Sequence, residues 1–436
     1  RGALNPSRLR ASGWTISTEV ERDLIGYRPQ GDSESEVVVW QREVLGGIPP
    51  GEPILGMAFD IGSTKIAGFL LDLESGAALD TVSAPNPQMV HGEDIMSRLA
   101  FARGSARQEL LLPEQVLVTL NELVRKACAR ARQPLRNVFE IVAVGNTAMQ
   151  HLFLGVPTES LSRAPYTPFT RKEEVRRAGA FGLSGRPSAP VITPPVVAAF
   201  VGSDLVAGVL ATRMHRARSL RVFIDVGTNT EICAGDACRL VACSTPSGPA
   251  FEGAHIRFGM RAADGAVERV AIEPDTFHVD YRVIGRMKPR GLCGSALLDL
   301  LADLFRTGAV DGAGRLQRHI APERVRRYGG RLAFLVVRSS ETSIGQDIVL
   351  TQDDIGQLQL AKAAIRAGID ILLNTLRRTV SDVRAVYLAG AFGSYLAPES
   401  ARTVGMLPDL SLDRIHFVGN TAGSGARLAL LSRRER

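Results

Sequence analysis

Apolar positions along the chain fall into short runs that alternate with longer helical stripes. Leu55 to Phe59 and Ile66 to Leu73 are β-rich runs joined by Asp60-Ile61-Gly62-Ser63-Thr64-Lys65, and Glu74-Ser75-Gly76 supplies the next turn, so a hairpin is predicted there. Val116, Leu120, Leu123, Val124 and Ala127 recur at helical spacing within Pro113 to Arg132, and the apolar run Val138 to Val144 follows as a buried strand. The order then returns: Arg221 to Ile224 leads into Asp225-Val226-Gly227-Thr228-Asn229-Thr230-Glu231, and Ile232 to Ala234 continues extended. The second Asp-[Ile/Val]-Gly-[Ser/Thr] unit stands 165 residues after the first, an internal repeat at the spacing of a domain.

Further on, Leu297, Leu300, Leu301 and Leu304 line one face of a helix over Cys293 to Arg306, with Gly308 in the position of a C-cap. Asp353 is expected to cap a long helix from Asp354 to about Arg378. Strands over Arg384 to Leu388 and Arg414 to Val418 each run into small residues that open helices. The pattern is α/β with function at strand ends. The linker-like Gly46-Gly47-Ile48-Pro49-Pro50-Gly51-Glu52-Pro53 sets a boundary. It divides the chain into residues 1–53, read as the remnant of a connecting domain, a first lobe over 54–215 and a second over 216–436.

Composition narrows the function more by exclusion than by suggestion. A chain of 436 residues with 45% hydrophobic and 22% charged residues is an ordinary globular protein of two or three domains. The net charge is +7, but there are only five lysines and the arginines are scattered without interleaved aromatics. Nucleic acid is therefore not expected, and an acidic protein partner is the runner-up explanation of the charge. The most apolar stretch, Val191 to Thr212, is broken by Pro194, Pro195, Gly202, Asp204 and Gly208, so it reads as a buried loop and helix rather than a membrane span. No charged-then-apolar leader opens the sequence, and its start at Arg1 suggests a fragment or processed form. Five cysteines without a framework spacing fit a reducing cytoplasm, and Cys233, Cys238 and Cys243 lack the tighter spacing of iron–sulfur ligands. His91, His151 and His255 show no metal-ligand spacing and are expected in ordinary polar contacts.

The two turns supply what a triphosphate needs: donors, little steric bulk and carboxylates for a metal. No G-x4-G-K-[ST] loop occurs, which removes the P-loop NTPases. Asp60 can hold Mg2+ through water, Gly62 lets the backbone approach phosphate, and Ser63 and Thr64 donate. Asp225, Gly227, Thr228 and Asn229 repeat that chemistry. Gly390-Ala391-Phe392-Gly393, after a later strand, could lie under an adenosine. Lys65 reaches a phosphate or pairs with a surface carboxylate; Asn146 orients the nucleophilic water or closes a strand-end turn; Glu231 holds the metal or fixes Asn229.

With these stretches in hand, the chain resembles the reductive activators of corrinoid-dependent methyltransferases, within the two-lobed actin, hexokinase and heat-shock ATPase superfamily. The resemblance is carried by Asp60 to Thr64, Asn86-Pro-Gln, Gly92 to Arg98, Gly145 to Leu152, Ala164 to Pro168, Asp225 to Glu231, Gly248 to Gly253, Gly291 to Ser295, Ala361 to Ile365 and Ala389 to Gly393. It implies two related ribonuclease-H-like lobes with a nucleotide cleft. ATP and Mg2+ are the implied cofactors, with Asp60, Asp225 and Glu231 at the metal and Asp60, Asp225 and Asn146 catalytic. The implied nucleotide contacts are Gly62, Ser63, Thr64, Lys65, Gly227, Thr228, Asn229, Thr230, Gly294, Gly390, Ala391, Phe392 and Gly393. The implied activity is ATP-driven reduction of a Co(II) corrinoid protein to Co(I), with the electron from a ferredoxin-like domain or partner carrying an iron–sulfur cluster outside this sequence. A homodimer is compatible with it. A small-molecule kinase or a non-catalytic ATP-gated scaffold are the alternatives.

Overall fold

The computed structural model describes residues 14–19, 24–29, 36–41, 43–92, 94–390 and 396–436. They form two compact units, Arg1–Thr212 with Thr421–Arg436, and Arg213–Asn420.

In the first unit β1 (Trp14–Glu19), β2 (Leu24–Pro29), β3 (Glu36–Trp40) and β4 (Glu43–Ile48) make an antiparallel meander. Val38, Trp40, Leu45 and Ile48 of this sheet are buried with Ile54, Leu71 and Phe139 in one apolar cluster. The Arg177 guanidinium stacks 5.1 Å above the Trp40 ring and pairs with Glu43, so the sheet is fastened by packing and by charge.

The main sheet comprises β5 (Leu55–Ile61), β6 (Lys65–Asp72), β7 (Ala78–Pro85), β8 (Val138–Gly145), β9 (Glu174–Arg177) and β10 (Pro190–Thr193), in the order β7-β6-β5-β8-β10-β9. Strands β5, β8 and β10 run parallel at its centre, and all eight residues of β8 are buried, as expected of a strand covered on each face. Helices α1 (Ile95–Ala102), α2 (Ala106–Arg130) and α3 (Thr147–Leu154) cover the face bearing Met57, Phe59 and Ile61. A short turn of helix, α4 (Ala178–Phe181), follows β9. Helix α5 (Ser203–Ala211) covers the opposite face, where Ala58, Val142 and Ile192 pack with Ala207. Strand alternation puts Asp60 on the Ala58 face.

The second unit repeats the theme. β11 (Arg221–Val226), β12 (Thr230–Gly235) and β13 (Leu240–Thr245) form a meander beside the parallel strands β20 (Ala385–Ala389) and β21 (Ile415–Gly419). Two three-stranded sheets flank it. One holds β14 (Ala266–Ile272), β15 (Val279–Val283) and β16 (Gly291–Leu292), the other β17 (Val325–Tyr328), β18 (Arg331–Val337) and β19 (Ile348–Thr351). Helices α6 (Gly294–Arg306), α7 (Gln352–Thr375) and α8 (Pro398–Thr403) complete its core, and α7 packs on β12 and β13. The chain then returns to the first unit as α9 (Thr421–Leu431), which lies against α5.

Two helix starts differ from the sequence expectation. Helix α2 begins at Ala106, seven residues before Pro113, because the Ser105 hydroxyl accepts from the Gln108 amide and Glu109 follows in the first turn. Pro113 is carried inside at the loss of one backbone donor. Helix α7 is capped by Thr351, not Asp353: the Thr351 hydroxyl accepts from the Asp354 amide at 3.1 Å while the Asp354 carboxylate accepts from the Thr351 amide at 2.8 Å. It ends at Thr375, three residues before Arg378.

Candidate functional site: two carboxylate-led turns

In the first unit β5 ends in Asp60-Ile61 and β6 starts at Lys65, so Gly62, Ser63 and Thr64 make the whole turn. A Cβ on Gly62 would lie 2.6 Å from the Lys65 carbonyl oxygen, a position no side chain can take. The buried Asn86 pins the turn from the end of β7. Its Nδ2 donates to the Gly62 carbonyl at 2.9 Å and its amide to the Thr64 carbonyl at 2.8 Å. Ser63 and Thr64 are half-buried, and Lys65 is exposed at the turn's edge.

Asp60 lies opposite Val144 in β8, and the next residues down that strand are Gly145 and Asn146. Asn146 caps α3, its Oδ1 accepting from the Met149 amide at 2.9 Å. Gly202 crosses immediately behind: a Cβ there would stand 2.4 Å from the Asn146 Cα. Ser203, fully buried, donates to Gln150 Oε1 at 2.6 Å and accepts from the Gly145 amide at 3.2 Å. These contacts set the first turn of α5 against the end of β8 and bring Asp204 to Asp60. Burial, and then the negative charge of Asp60, push the Asp204 carboxyl up to about 7, although the Leu205 amide donates to it at 2.8 Å.

Asp204 is the functional candidate that motif reading missed. Its signal was present as a carboxylate and two glycines inside an otherwise apolar stretch. A carboxyl poised near neutrality beside a second carboxyl group can take a proton from water or share a cation with its neighbour.

In the second unit the equivalent turn, Gly227-Thr228-Asn229, links β11 to β12, and Asp225 and Glu231 face each other across the ladder. The Thr228 hydroxyl donates to Glu252 Oε1 at 2.6 Å, which adds Glu252 to the residues around the turn. Thr230 is fully buried within β12, and its hydroxyl meets Ser247 Oγ at 2.7 Å. Ser244 Oγ donates to Glu231 Oε1 at 3.2 Å. Gly390 has φ +89°, and a Cβ on it would lie 2.7 Å from Asp225 Oδ1, so this glycine makes room for the carboxylate. Ala391, Phe392 and Gly393 lie outside the described residues. Gly294 is the buried first residue of α6, a helix that packs on the short turn Pro249–Glu252 and so belongs to the same neighbourhood as Glu252.

Among the described residues no three His, Cys, Asp or Glu side chains gather as a closed metal site. The opposed carboxylates, Asp60 with Asp204 and Asp225 with Glu231, instead fit a hydrated Mg2+, which keeps several waters and takes one or two carboxylates. The five cysteines are free, and no helix among the described residues is long and apolar enough to cross a membrane.

Two α/β units, each with an Asp-x-Gly-[Ser/Thr] turn leaving a sheet strand, define the actin-like ATPase class, whose fold implies nucleotide binding. Residues 55–217 match the RACo middle region, and residues 219–436 match the C-terminal domain of RACo, the ASKHA domain. The chain belongs to the RACo family. It is 34% identical over 424 residues to the corrinoid activation enzyme RamQ of Eubacterium limosum, covering 94% of this chain and 70% of that one. It is 24% identical over 408 residues to the [Co(II) methylated amine-specific corrinoid protein] reductase of Methanosarcina barkeri, covering 87% and 70%. A solved structure of a reductive activator for corrinoid, iron–sulfur protein superposes with a TM-score of 0.81 at 32% identity, over 98% of this chain and 77% of that one.

Proposed function

We propose that this chain is the ATPase core of a reductive activator, which uses Mg-ATP to return a corrinoid protein from Co(II) to the nucleophilic Co(I) state. The observation that carries the proposal is the pair of carboxylate-led turns, in a chain that matches a corrinoid activation enzyme along nearly its whole length. The reduction takes one electron, supplied by a ferredoxin-type iron–sulfur donor on another domain or partner, and cobalt is its acceptor. Free cysteines fit work in a reducing cytoplasm.

Within the chain, Ser63 and Thr64 of one turn, and Thr228 and Asn229 of the other, donate to phosphate oxygens, while Gly62 and Gly227 keep the turns low. Asp60 in the first unit, and Asp225 with Glu231 in the second, would hold the water shell of a Mg2+ ion, whose charge would offset that of the phosphates. Asp204 takes the proton of the attacking water, and Asn146 fixes the end of β8 beside the strand that carries Asp60. Nucleotide binding does work on the partner only if it favours one conformation over another. Lys65, exposed at the first turn, reaches for a phosphate oxygen.

The test is anaerobic. Chain, Mg-ATP, a low-potential iron–sulfur reductant and a Co(II) corrinoid protein are mixed and the Co(I) absorbance is followed. The band should grow with ATP and not with a non-hydrolysable analogue; growth independent of nucleotide contradicts the proposal. Gel filtration of the same mixture decides whether a homodimer is the working unit.

A further inference from the structure

The Gly92 to Arg98 stretch carries no role in the chemistry above, yet it holds an unusual charge. Arg98, on α1, has 0% of its surface exposed. Its Nε donates to the Gly92 carbonyl at 2.9 Å, its Nη1 reaches Met149 Sδ at 3.7 Å, and its Nη2 has no acceptor among the described residues. Gly92 can accept that approach because it lies tight against α1: a Cβ on it would meet Ser97 Cβ at 2.6 Å.

A buried guanidinium is ordinarily matched by a carboxylate, since one left uncompensated is costly. Here the acceptors are a neutral carbonyl and a thioether. Asp94, the carboxylate that acts on Arg98, spends its oxygens on the Ser97 amide at 2.9 Å and the Ser97 hydroxyl at 2.7 Å in capping α1. Burial lowers the Arg98 pKa to about 10, so the charge persists at neutral pH.

The charge faces the first turn through two side chains. Met149 Sδ also accepts from Asn86 Nδ2 at 3.5 Å, and that Nδ2 donates to the Gly62 carbonyl at 2.9 Å. Laid in series, these contacts hold the guanidinium within roughly 10 Å of the Gly62 carbonyl, through buried side chains where screening is weak. Met149 is tied to the site a second time, its amide donating to Asn146 Oδ1 at 2.9 Å.

We propose that Arg98 is a positioning residue of the nucleotide site, holding the Gly62 turn through Met149 and Asn86 and adding a buried positive charge that favours phosphate in proportion to its negative charge. The proposal rests on the Asp60 turn being a phosphate turn. A residue acting only through packing would affect all nucleotides alike, whereas this one grades them.

The experiment is calorimetric titration of the full chain with Mg-ATP, Mg-ADP and adenosine, for wild type, R98M, R98Q and R98K. The neutral variants should lose about tenfold in affinity for ATP, less for ADP and under twofold for adenosine, with R98K within about threefold of wild type throughout. R98Q keeps a hydrogen bond to Gly92 within reach, so it serves if R98M does not fold. Equal losses for the three ligands, no loss, or an R98K as weak on ATP as R98Q would each overturn the proposal. A wild type that does not distinguish the three ligands would instead overturn the phosphate turn itself.

Discussion

His151 shows how a single buried group ties the site to pH. It is fully buried in α3, its Nδ1 donates to the Thr147 carbonyl at 2.7 Å, and its Nε2 accepts from the Thr170 amide at 3.4 Å, an arrangement that requires the neutral ring. Burial holds its pKa below 6.5. The unfolded chain therefore binds the proton first as pH falls, and the stability from neutral His151 is full above 6.5 and drains away below it. The melting temperature of wild type should drop between pH 7.5 and 5.5 by more than that of His151→Gln; equal drops would show that this ring is not responsible. Arg436 is the electrostatic counterpart. Its Nη1 lies 2.7 Å from Glu140 Oε1 with each side chain almost wholly buried, so Arg436→Ala should destabilise the first unit by about 3 kcal/mol or more in chemical denaturation. At the turn itself, Asp204→Asn should lower ATP turnover by roughly 10²-fold or more and leave Mg-ATP affinity within a few-fold, since a proton acceptor acts in the chemical step. Loss of affinity in step with turnover would make Asp204 a binding group instead.

Elements were legible where periodicity and local chemistry agreed. The hairpin over Leu55 to Leu73, the stripe of α6 and the strands before Gly390 and Asn420 stand where the apolar pattern put them, within a residue or two. The turns at Gly62 and Gly227 were legible for the same reason, because a carboxylate, a glycine and hydroxyls form one local unit. Helix starts were less so: Ser105 and Thr351 won over Pro113 and Asp353 through side-chain hydrogen bonds to the amide three residues on, reciprocated by Asp354 in the case of Thr351. Asp204 was hidden because its meaning comes from Asp60, 144 residues away in sequence and adjacent only through the fold. Close helix packing was hidden likewise. Gly425 of α9 leaves no room for a Cβ, which would sit 2.0 Å from the Ala207 carbonyl oxygen of α5. Gly425→Val should therefore destabilise the first unit by about 2 kcal/mol or more in urea. An unchanged stability would mean that α5 and α9 do not pack backbone to backbone.

At the scale of the molecule, the chain leaves the first unit, builds the second and returns as α9, so the first unit is completed only by the last residues of the sequence. The internal repeat of Asp60 and Asp225 thus marks one carboxylate-led turn per unit, each set at a strand end by its own local contacts. Family membership is carried by residues 55–217 and 219–436, and it places this actin-like ATPase fold among the corrinoid activators. Nucleotide chemistry at these turns, as proposed, is what makes cobalt reducible. It is tested most directly by anaerobic spectroscopy of a Co(II) corrinoid protein with a low-potential donor, comparing wild type with Asp60→Asn and Asp225→Asn. The Co(I) band should appear with wild type and Mg-ATP and fall by at least tenfold in each variant; a band of equal size in the variants, or without ATP, would contradict the account.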